Sequence, residues 1–270
     1  MPARVTLFGI EFDPLRMDQA VAQIWAWIAS PPPRCAMVVT PNVDHLVLLT
    51  RRADFREAYR QASLVLADGM PIVWASRWLG QPLPERVAGS DLVPSVFASS
   101  STKNTLNVFL LGAEPGVGQR AAERIQRAWP SVEVVGVSSP PIGFERDDAA
   151  NAAICDQIAS VQPDVLVVGL GAPKQELWVH THRDRLAAKV AICAGGTIDF
   201  LAGKQRRAPQ WMRESGLEWL YRLARQPRRL FARYARDAWV FPQLVARAWW
   251  EQRQLHRRMT ELASAGRRLW

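Results

Sequence analysis

The chain has 270 residues, 49% apolar and 22% charged. That argues against a disordered chain and allows one large domain or two small ones, folding without disulfide or metal staples. The net charge is +9, from 34 Lys+Arg against 25 Asp+Glu, and the three cysteines (Cys35, Cys155, Cys193) form no CxxC pair, which disfavours a disulfide scaffold or zinc site and fits a reducing compartment.

The first residues, MPARVTLFGIEFD, hold no apolar h-region, so no secretory signal is expected. No run of about 18 uncharged apolar residues is available to span a bilayer. Pro31–Pro33 reads as a connector. Six short apolar runs predict strands: Met37–Thr40, Leu64–Ala67, Asn107–Leu111, Val132–Val137, Val165–Gly169 and Val190–Ala194. Several are continuous Val/Leu/Ile runs, the pattern of strands covered on both faces. Amphipathic stretches alternate with them, among them Val43–Gln61, apolar at Val43, Leu46, Val47 and Leu49, and Gly118–Trp129. This alternation predicts an α/β fold with a parallel sheet. Ser99–Asn104 reads as a polar loop dividing the body into two lobes.

Ligands of open α/β sheets bind outside the carboxyl ends of the strands, and the polar and glycine-rich motifs fall there. Thr40-Pro41-Asn42 aims a hydroxyl and an amide at the crevice, with Asn42 equally a cap for the next helix. Asp68, ahead of Gly69, suits a general base on a hydroxyl; a turn aspartate is the competing reading. Gly112, Gly116 and Gly118 allow close approach of backbone to a diphosphate at a helix N-terminus. Their G-x-x-x-G-x-G spacing is neither a dinucleotide fingerprint nor a Walker loop, and a plain strand–helix turn competes. Gly171, Lys174, Gln175 and Glu176 combine a tight turn, a cation and two hydrogen-bonding side chains, which favours a phosphate or sugar site. Asp199, beyond Gly195-Gly196, reads equally as a ligand contact or as the partner of a downstream arginine.

The excess charge is confined to the end of the chain. Residues 1–203 net −2, whereas residues 204–270 net +11 and hold six of the twelve tryptophans, Trp211, Trp219, Trp239, Trp249, Trp250 and Trp270. A membrane surface suits a basic, Trp-rich helical segment best. Nucleic acid is the rival partner, and a solvated helical hairpin the plainest reading. Arg222, Arg225, Arg229, Arg233 and Arg236 recur at helical spacing on one face, and Pro227 predicts a break or a new helix start. Leu230, Tyr234 and Ala238 predict an apolar side for that helix. D-x-D, H-E-x-x-H and G-x-S-x-G are all missing, which disfavours the usual metal-clamped, zincin and serine-hydrolase chemistries.

Together, TPNVDH, ADGMPIVWASRWLG, RVAGSDL, FLLGAEPGVG, GLGAPKQE, AGGTIDFLAGKQRRAP and GLEWLYRLARQPRRL occur in this order, from about Thr40 to Arg233. As a set they resemble the WecG/TagA/CpsF glycosyltransferases (glycosyltransferase family 26), with PNVDH and PPIGFE most similar to the GumM-like polysaccharide-assembly branch. The resemblance implies a Rossmann-like catalytic domain over 1–203 and a helical membrane-associating appendage over 204–270. It implies inverting, metal-independent and cofactor-free transfer of a sugar from a UDP-sugar (UDP-glucose or UDP-N-acetylmannosamine type) to a polyprenyl-diphosphate-linked saccharide. The enzyme would attach peripherally to the cytoplasmic face of the membrane and take no nucleic acid. By motif, Asp68 is the implied catalytic aspartate, Thr40, Asn42 and Gln175 accompany it, and Arg86 is the R-V-x-G arginine. Arg207, Arg222, Arg225 and Arg229 are the implied appendage arginines. The residue before the hydrophobic-Asp-Phe of GGTIDF departs from several members. A homo-oligomer stays open. The alternative is a non-catalytic, membrane-tethered nucleotide-binding module, which a polar crevice at five strand ends argues against; an NAD-dependent oxidoreductase is disfavoured by the missing G-x-G-x-x-G.

Overall fold

The computed structural model describes residues 2–266, with the side chains of Glu214, Arg229 and residues 255–266 outside the description. Strands β1 (Val5–Leu7) and β2 (Ile10–Phe12) pair as an antiparallel hairpin. Its turn places Phe8 and Gly9 at φ 55° and 79°, the left-handed backbone conformation with which two-residue hairpin turns match the right-handed twist of their strands. The sequence reading did not predict this hairpin.

The main sheet holds β3 (Ala36–Val39), β4 (Leu64–Val65), β5 (Leu106–Gly112), β6 (Val132–Ser138), β7 (Val165–Gly169) and β8 (Val190–Cys193). All are parallel, in the order β4-β3-β8-β7-β5-β6. The six predicted strands are therefore all present. The hairpin guards the β4 edge: Asp13 exchanges hydrogen bonds with Val65, and Arg4 donates to the carbonyls of Ala62 and Ser63. Such cover removes a free edge that would otherwise pair with another chain.

Strand side chains alternate between the two faces. Met37 and Val39 join Leu46, Phe55, Tyr59 and Trp178 on one side; Ala36 and Val38 join Ile24, Leu92 and Phe97 on the other. Helices α1 (Met17–Ala29), α5 (Gly89–Ala98), α6 (Val117–Ala128) and α9 (Thr197–Leu201) cover the second face. Helices α2 (Val43–Arg51), α3 (Ala53–Arg60), α4 (Met70–Trp78), α7 (Asp148–Val161) and α8 (Lys174–His182) cover the first.

Two expectations need correction. The stretch Val43–Gln61 is two helices, because Arg52 is extended (φ −122°, ψ 111°). Asp54 accepts the Phe55 N–H at 2.8 Å and the Arg52 guanidinium, a local alternative to helix continuation. The loop Ser99–Asn104 does not divide the body. It only turns α5 into β5, while β5 pairs β7 and β7 pairs β8 in one continuous sheet.

Gly112 is required for packing. Its φ is +112°, and a Cβ there would lie 2.6 Å from the Gly169 carbonyl oxygen. Gly112→Ala should cost about 1–3 kcal/mol for the backbone conformation alone, before the clash is counted. A lowered Tm in a thermal melt is the expected result, and an unchanged one would overturn this account.

Beyond the sheet come α10 (Gln210–Glu214), α11 (Glu218–Arg225) and α12 (Pro227–Gly266). Pro227 opens α12, as predicted, at a position where its missing N–H costs nothing. α12 runs for 40 residues, about 60 Å. Leu230, Tyr234, Asp237, Phe241, Leu244 and Ala248 form its inward stripe, of which Phe241, Leu244 and Ala248 reach the first core face. Phe231, Trp239 and Trp250 point outward. The helix is latched to α2 by Asp44, which pairs with Arg236 and, at 3.6 Å, with Arg233. Among the described residues no helix is long and apolar enough to cross a membrane.

Candidate functional site

Because every strand of the main sheet runs the same way, the loops after β3, β4, β5, β7 and β8 open on one edge. Thr40 is buried at the end of β3, 3.1 Å from where a Cβ on Gly89 would sit. Asn42 does both jobs considered for it. Its side chain caps α2 by accepting the His45 N–H at 3.3 Å, and it also lines the cleft beside Asp68. Asp68 is anchored by its own N–H to the Pro41 carbonyl at 2.9 Å. Gly69, at φ +120°, then turns the chain away into α4, a conformation that favours glycine.

Asp68 sits at the floor of a cleft of about 330 Å³ between the strand ends and helices α11 and α12. Arg86, Arg213, Arg222 and Arg233 supply its cations, and Trp219, Tyr234 and Phe241 its apolar wall. A wider, shallower groove of about 860 Å³ along α1 and α5 is lined by Arg16, Trp25, Glu85 and Ser95. None of the strand-end motifs reaches it.

Charges around Asp68 form one network. Arg86 lies 3.3 Å from Asp68, 2.8 Å from Asp91 and 3.5 Å from Glu218. Arg207 and, at 2.9 Å, Arg213 also pair with Asp91. Burial pushes the Asp68 carboxyl above its ordinary value; Arg86 opposes this, Glu218 adds to it, and Arg222 and His45 pull back without cancelling it. Only 27% of the Asp68 side chain is open, and that part faces the cleft, so a base with raised proton affinity meets whatever enters. At Asp91, burial also disfavours the charge, but Arg207, Arg86 and Arg213 together hold the carboxyl below its usual range.

Behind the cleft lies a buried polar chain. The Gln175 side chain accepts the Gly171 N–H at 3.1 Å and donates to Glu176 at 2.7 Å. Glu176 Oε1 is 3.9 Å from His45 Nδ1, which is 2.6 Å from the Tyr59 hydroxyl. Burial raises the Glu176 carboxyl, and burial first and Glu176 second raise the Tyr59 phenol. Gln175 does not line the Asp68 cleft; it sits under Gly195, 3.4 Å from where a Cβ would be.

The other predicted positions divide. Gly118 is a packing glycine, with its Cβ position 2.3 Å from Val137 Cγ1. Gly116, at φ +79°, opens α6 and has only the Arg120 guanidinium nearby. Gly171, at φ +80°, faces open space. Lys174 pairs with Glu145 at 2.7 Å. Asp199 is held by Gln205 at 3.1 Å and by Lys204 at 3.9 Å; among the described residues it meets no appendage arginine, and its buried Oδ1 finds no hydrogen-bond partner. Arg207 joins the Asp91 network and Arg222 lines the cleft. Arg225 instead lies over the Tyr221 ring at 5.9 Å. The Arg229 side chain and Trp270 lie outside the described residues.

Asp91, Arg213 and Glu218 line or support the site and sequence reasoning missed them, while Arg233 was read only as part of the arginine face of its helix. Asp91 lay within the RVAGSDL string and Glu218 within GLEWLYRLARQPRRL, which were the available signals. The Asp91 contacts with Arg207 and Arg213 span 116 and 122 residues, beyond the reach of any local pattern.

The family model described as "Glycosyl transferase WecG/TagA/CpsF family" matches residues 5–255. An N-acetylglucosaminyldiphosphoundecaprenol N-acetyl-beta-D-mannosaminyltransferase of Staphylococcus aureus (strain MRSA252) is 33% identical over 220 residues, 82% of this chain and 84% of the relative. Proteins of the same name from strains NCTC 8325 / PS 47 and COL are 32% identical over the same shares.

Proposed function

The chain belongs to the WecG/TagA/CpsF family of glycosyltransferases, and from that premise we propose that it moves a sugar from a UDP-sugar to a polyprenyl-diphosphate-linked saccharide. The relatives' names specify an N-acetylmannosaminyl group and a diphosphoundecaprenol-linked acceptor. The donor is of the UDP-N-acetylmannosamine or UDP-glucose type. The observation that carries this reading is the Asp68 carboxylate, at the floor of a cleft whose cations are guanidiniums from both the strand ends and the helices beyond residue 203.

In this reading Asp68 takes the proton from an acceptor hydroxyl as that oxygen attacks the anomeric carbon from the face opposite the diphosphate. The new glycosidic bond forms with inversion, and the bond to UDP breaks. Negative charge then develops on the leaving diphosphate. Arg86, Arg213 and Arg222, which line the cleft, are the groups placed to meet it, with Arg207 beside them on Asp91, since planar guanidinium forks match phosphate oxygens and fixed charges in a water-poor cleft stabilise a transition state strongly. Thr40 and Asn42 border the reacting hydroxyl. Gln175, in the first turn of α8, holds the adjoining Gly171 loop from behind the cleft.

Residues 1–203 serve as the catalytic body and 204–270 as the membrane-associating appendage. Outward Trp239 is 75% exposed and Trp211 62%, and basic residues lie around them in sequence. Tryptophan with arginine suits the headgroup layer of an anionic bilayer, where a polyprenyl-linked acceptor resides. The enzyme accordingly works from the cytoplasmic face as a peripheral protein.

The test is UDP release from a panel of UDP-sugars, with a polyprenyl-diphosphate-sugar acceptor present or omitted and with or without EDTA. Acceptor-dependent, EDTA-resistant turnover of one donor is expected. Turnover abolished by EDTA would overturn the guanidinium account of leaving-group stabilisation, and turnover of no donor by folded protein would overturn the donor class.

A further inference from the structure

Asp91 receives three guanidiniums from three separate segments. Its Oδ2 takes Arg86 at 2.8 Å, and its Oδ1 takes both Arg207 and, at 2.9 Å, Arg213. Arg207 also donates to the Ser90 carbonyl at 3.1 Å and the Ser90 hydroxyl at 3.0 Å. Glu218 is shared between Arg86 at 3.5 Å and Arg207 at 3.9 Å. Arg86 also meets Asp68 at 3.3 Å, so three cations meet three anions. Among the described residues, the buried Nε atoms of Arg207 and Arg213 find no hydrogen-bond partner. Fold stability alone does not explain a cluster whose buried donors are not all satisfied, and Arg86 and Arg213 also line the cleft beside Asp68, so cations that Asp91 gathers stand at its wall.

The seat itself is rigid. Gly89 brings the start of α5 so close to the strand ends that a Cβ would lie 3.0 Å from Ala194 Cβ and 3.1 Å from Thr40 Oγ1. Ser90 and Asp91, in the first turn of that helix, are thus fixed relative to Thr40 and to the loop after β8. Arg86 completes the link, because it touches Asp91 and Asp68 with the same guanidinium.

We infer that Ser90 and Asp91 form the seat by which the segment after residue 203 is joined to the catalytic edge, and that Asp91 is a positioning residue holding Arg86, Arg207 and Arg213 for the donor's diphosphate. This rests on the glycosyl-transfer reading above. Asp91 touches no reacting atom. It sets where three cations stand, and without its charge they repel one another and Arg86 is left to Asp68 and Glu218.

The test uses the full chain carrying Asp91→Asn, which keeps the shape and loses the charge. Two quantities are read: amide hydrogen exchange over residues 205–214 without ligand, and UDP affinity by calorimetry. Faster exchange and at least about tenfold weaker UDP binding are expected, the scale for uncoupling a part-buried charge pair. Unchanged exchange, or faster exchange with unchanged UDP affinity, would overturn the proposal. If the wild-type chain binds no UDP, the donor reading fails, and the exchange arm still decides whether the seat exists. Should Asp91→Asn not fold, Arg213→Gln and Ser90→Ala each remove one contact and carry the same two readouts.

Discussion

Asp68→Asn is expected to cut turnover by about 10²–10⁴-fold, the usual contribution of a general base, without lowering Tm at neutral pH. The second half of that expectation follows from the sign of the shift. Burial raises the Asp68 carboxyl in the folded chain, so the folded state binds this proton more tightly than the unfolded state does. Stability then falls as pH rises from the unfolded value through the folded one, and the ionised carboxylate costs stability above that window. Asparagine removes the cost. A variant that is dead, folded and at least as heat-stable as the parent is the signature of a group held against its own stability for chemistry. Near-normal turnover would remove Asp68 from the role. The same shift places the acid limb of kcat/KM above the ordinary carboxylate range, because the base works only when ionised. Arg86 and Arg222 hold that limb down and Glu218 holds it up.

Much of this site was legible in the sequence for a simple geometric reason. In a parallel sheet every strand ends on the same edge, so reading the residue after each apolar run amounts to reading the crevice. Thr40, Asn42 and Asp68 were found that way. The glycines show the limit of the method. Gly112 and Gly118 stand at a strand end and a helix start, as a phosphate loop would have them, yet the Gly169 carbonyl and the Val137 side chain account for both. A missing Cβ looks the same in sequence whether backbone or ligand occupies its place. Long-range charge was less legible still. Nothing near Arg213 announces Asp91, and only the folding of α10 back over α5 brings them to 2.9 Å. The split at Arg52 was lost because Asp54 accepts hydrogen bonds from the Phe55 N–H and the Arg52 guanidinium, which helical periodicity does not register.

The geometry also bears on why the cleft has a roof supplied by the end of the chain. Its floor belongs to the strand ends, but Trp219, Arg222, Arg233, Tyr234 and Phe241 all come from α11 and α12. Those helices hold on through the Asp44 latch with Phe241, Leu244 and Ala248 behind it, through ring contacts of Trp249 with Trp78 and of Phe241 with Phe8, and through the Glu218–Arg86 pair nearer Asp68. A roof of this kind depends on charge pairs and on whatever meets the outward tryptophans.

Removing residues 204–270 is accordingly expected to leave a folded sheet and to lower acceptor-dependent transfer by at least about 10²-fold, the loss typical of removing even one donor that stabilises transition-state charge. The sheet and nearly all of both core faces lie before residue 204, so circular dichroism of the truncated chain should retain its α/β character. Arg207, Arg213 and Arg222 leave with the segment, and Arg86 alone cannot meet a leaving diphosphate. Cosedimentation with anionic vesicles should be lost together with activity, since the net +11 and six tryptophans go too. A soluble acceptor separates the two contributions. If the truncated chain remained inactive on it, the segment supplies catalytic charge as well as tethering. Full activity on that acceptor would reduce the segment to a tether, and the arginines over Asp68 would then need another explanation.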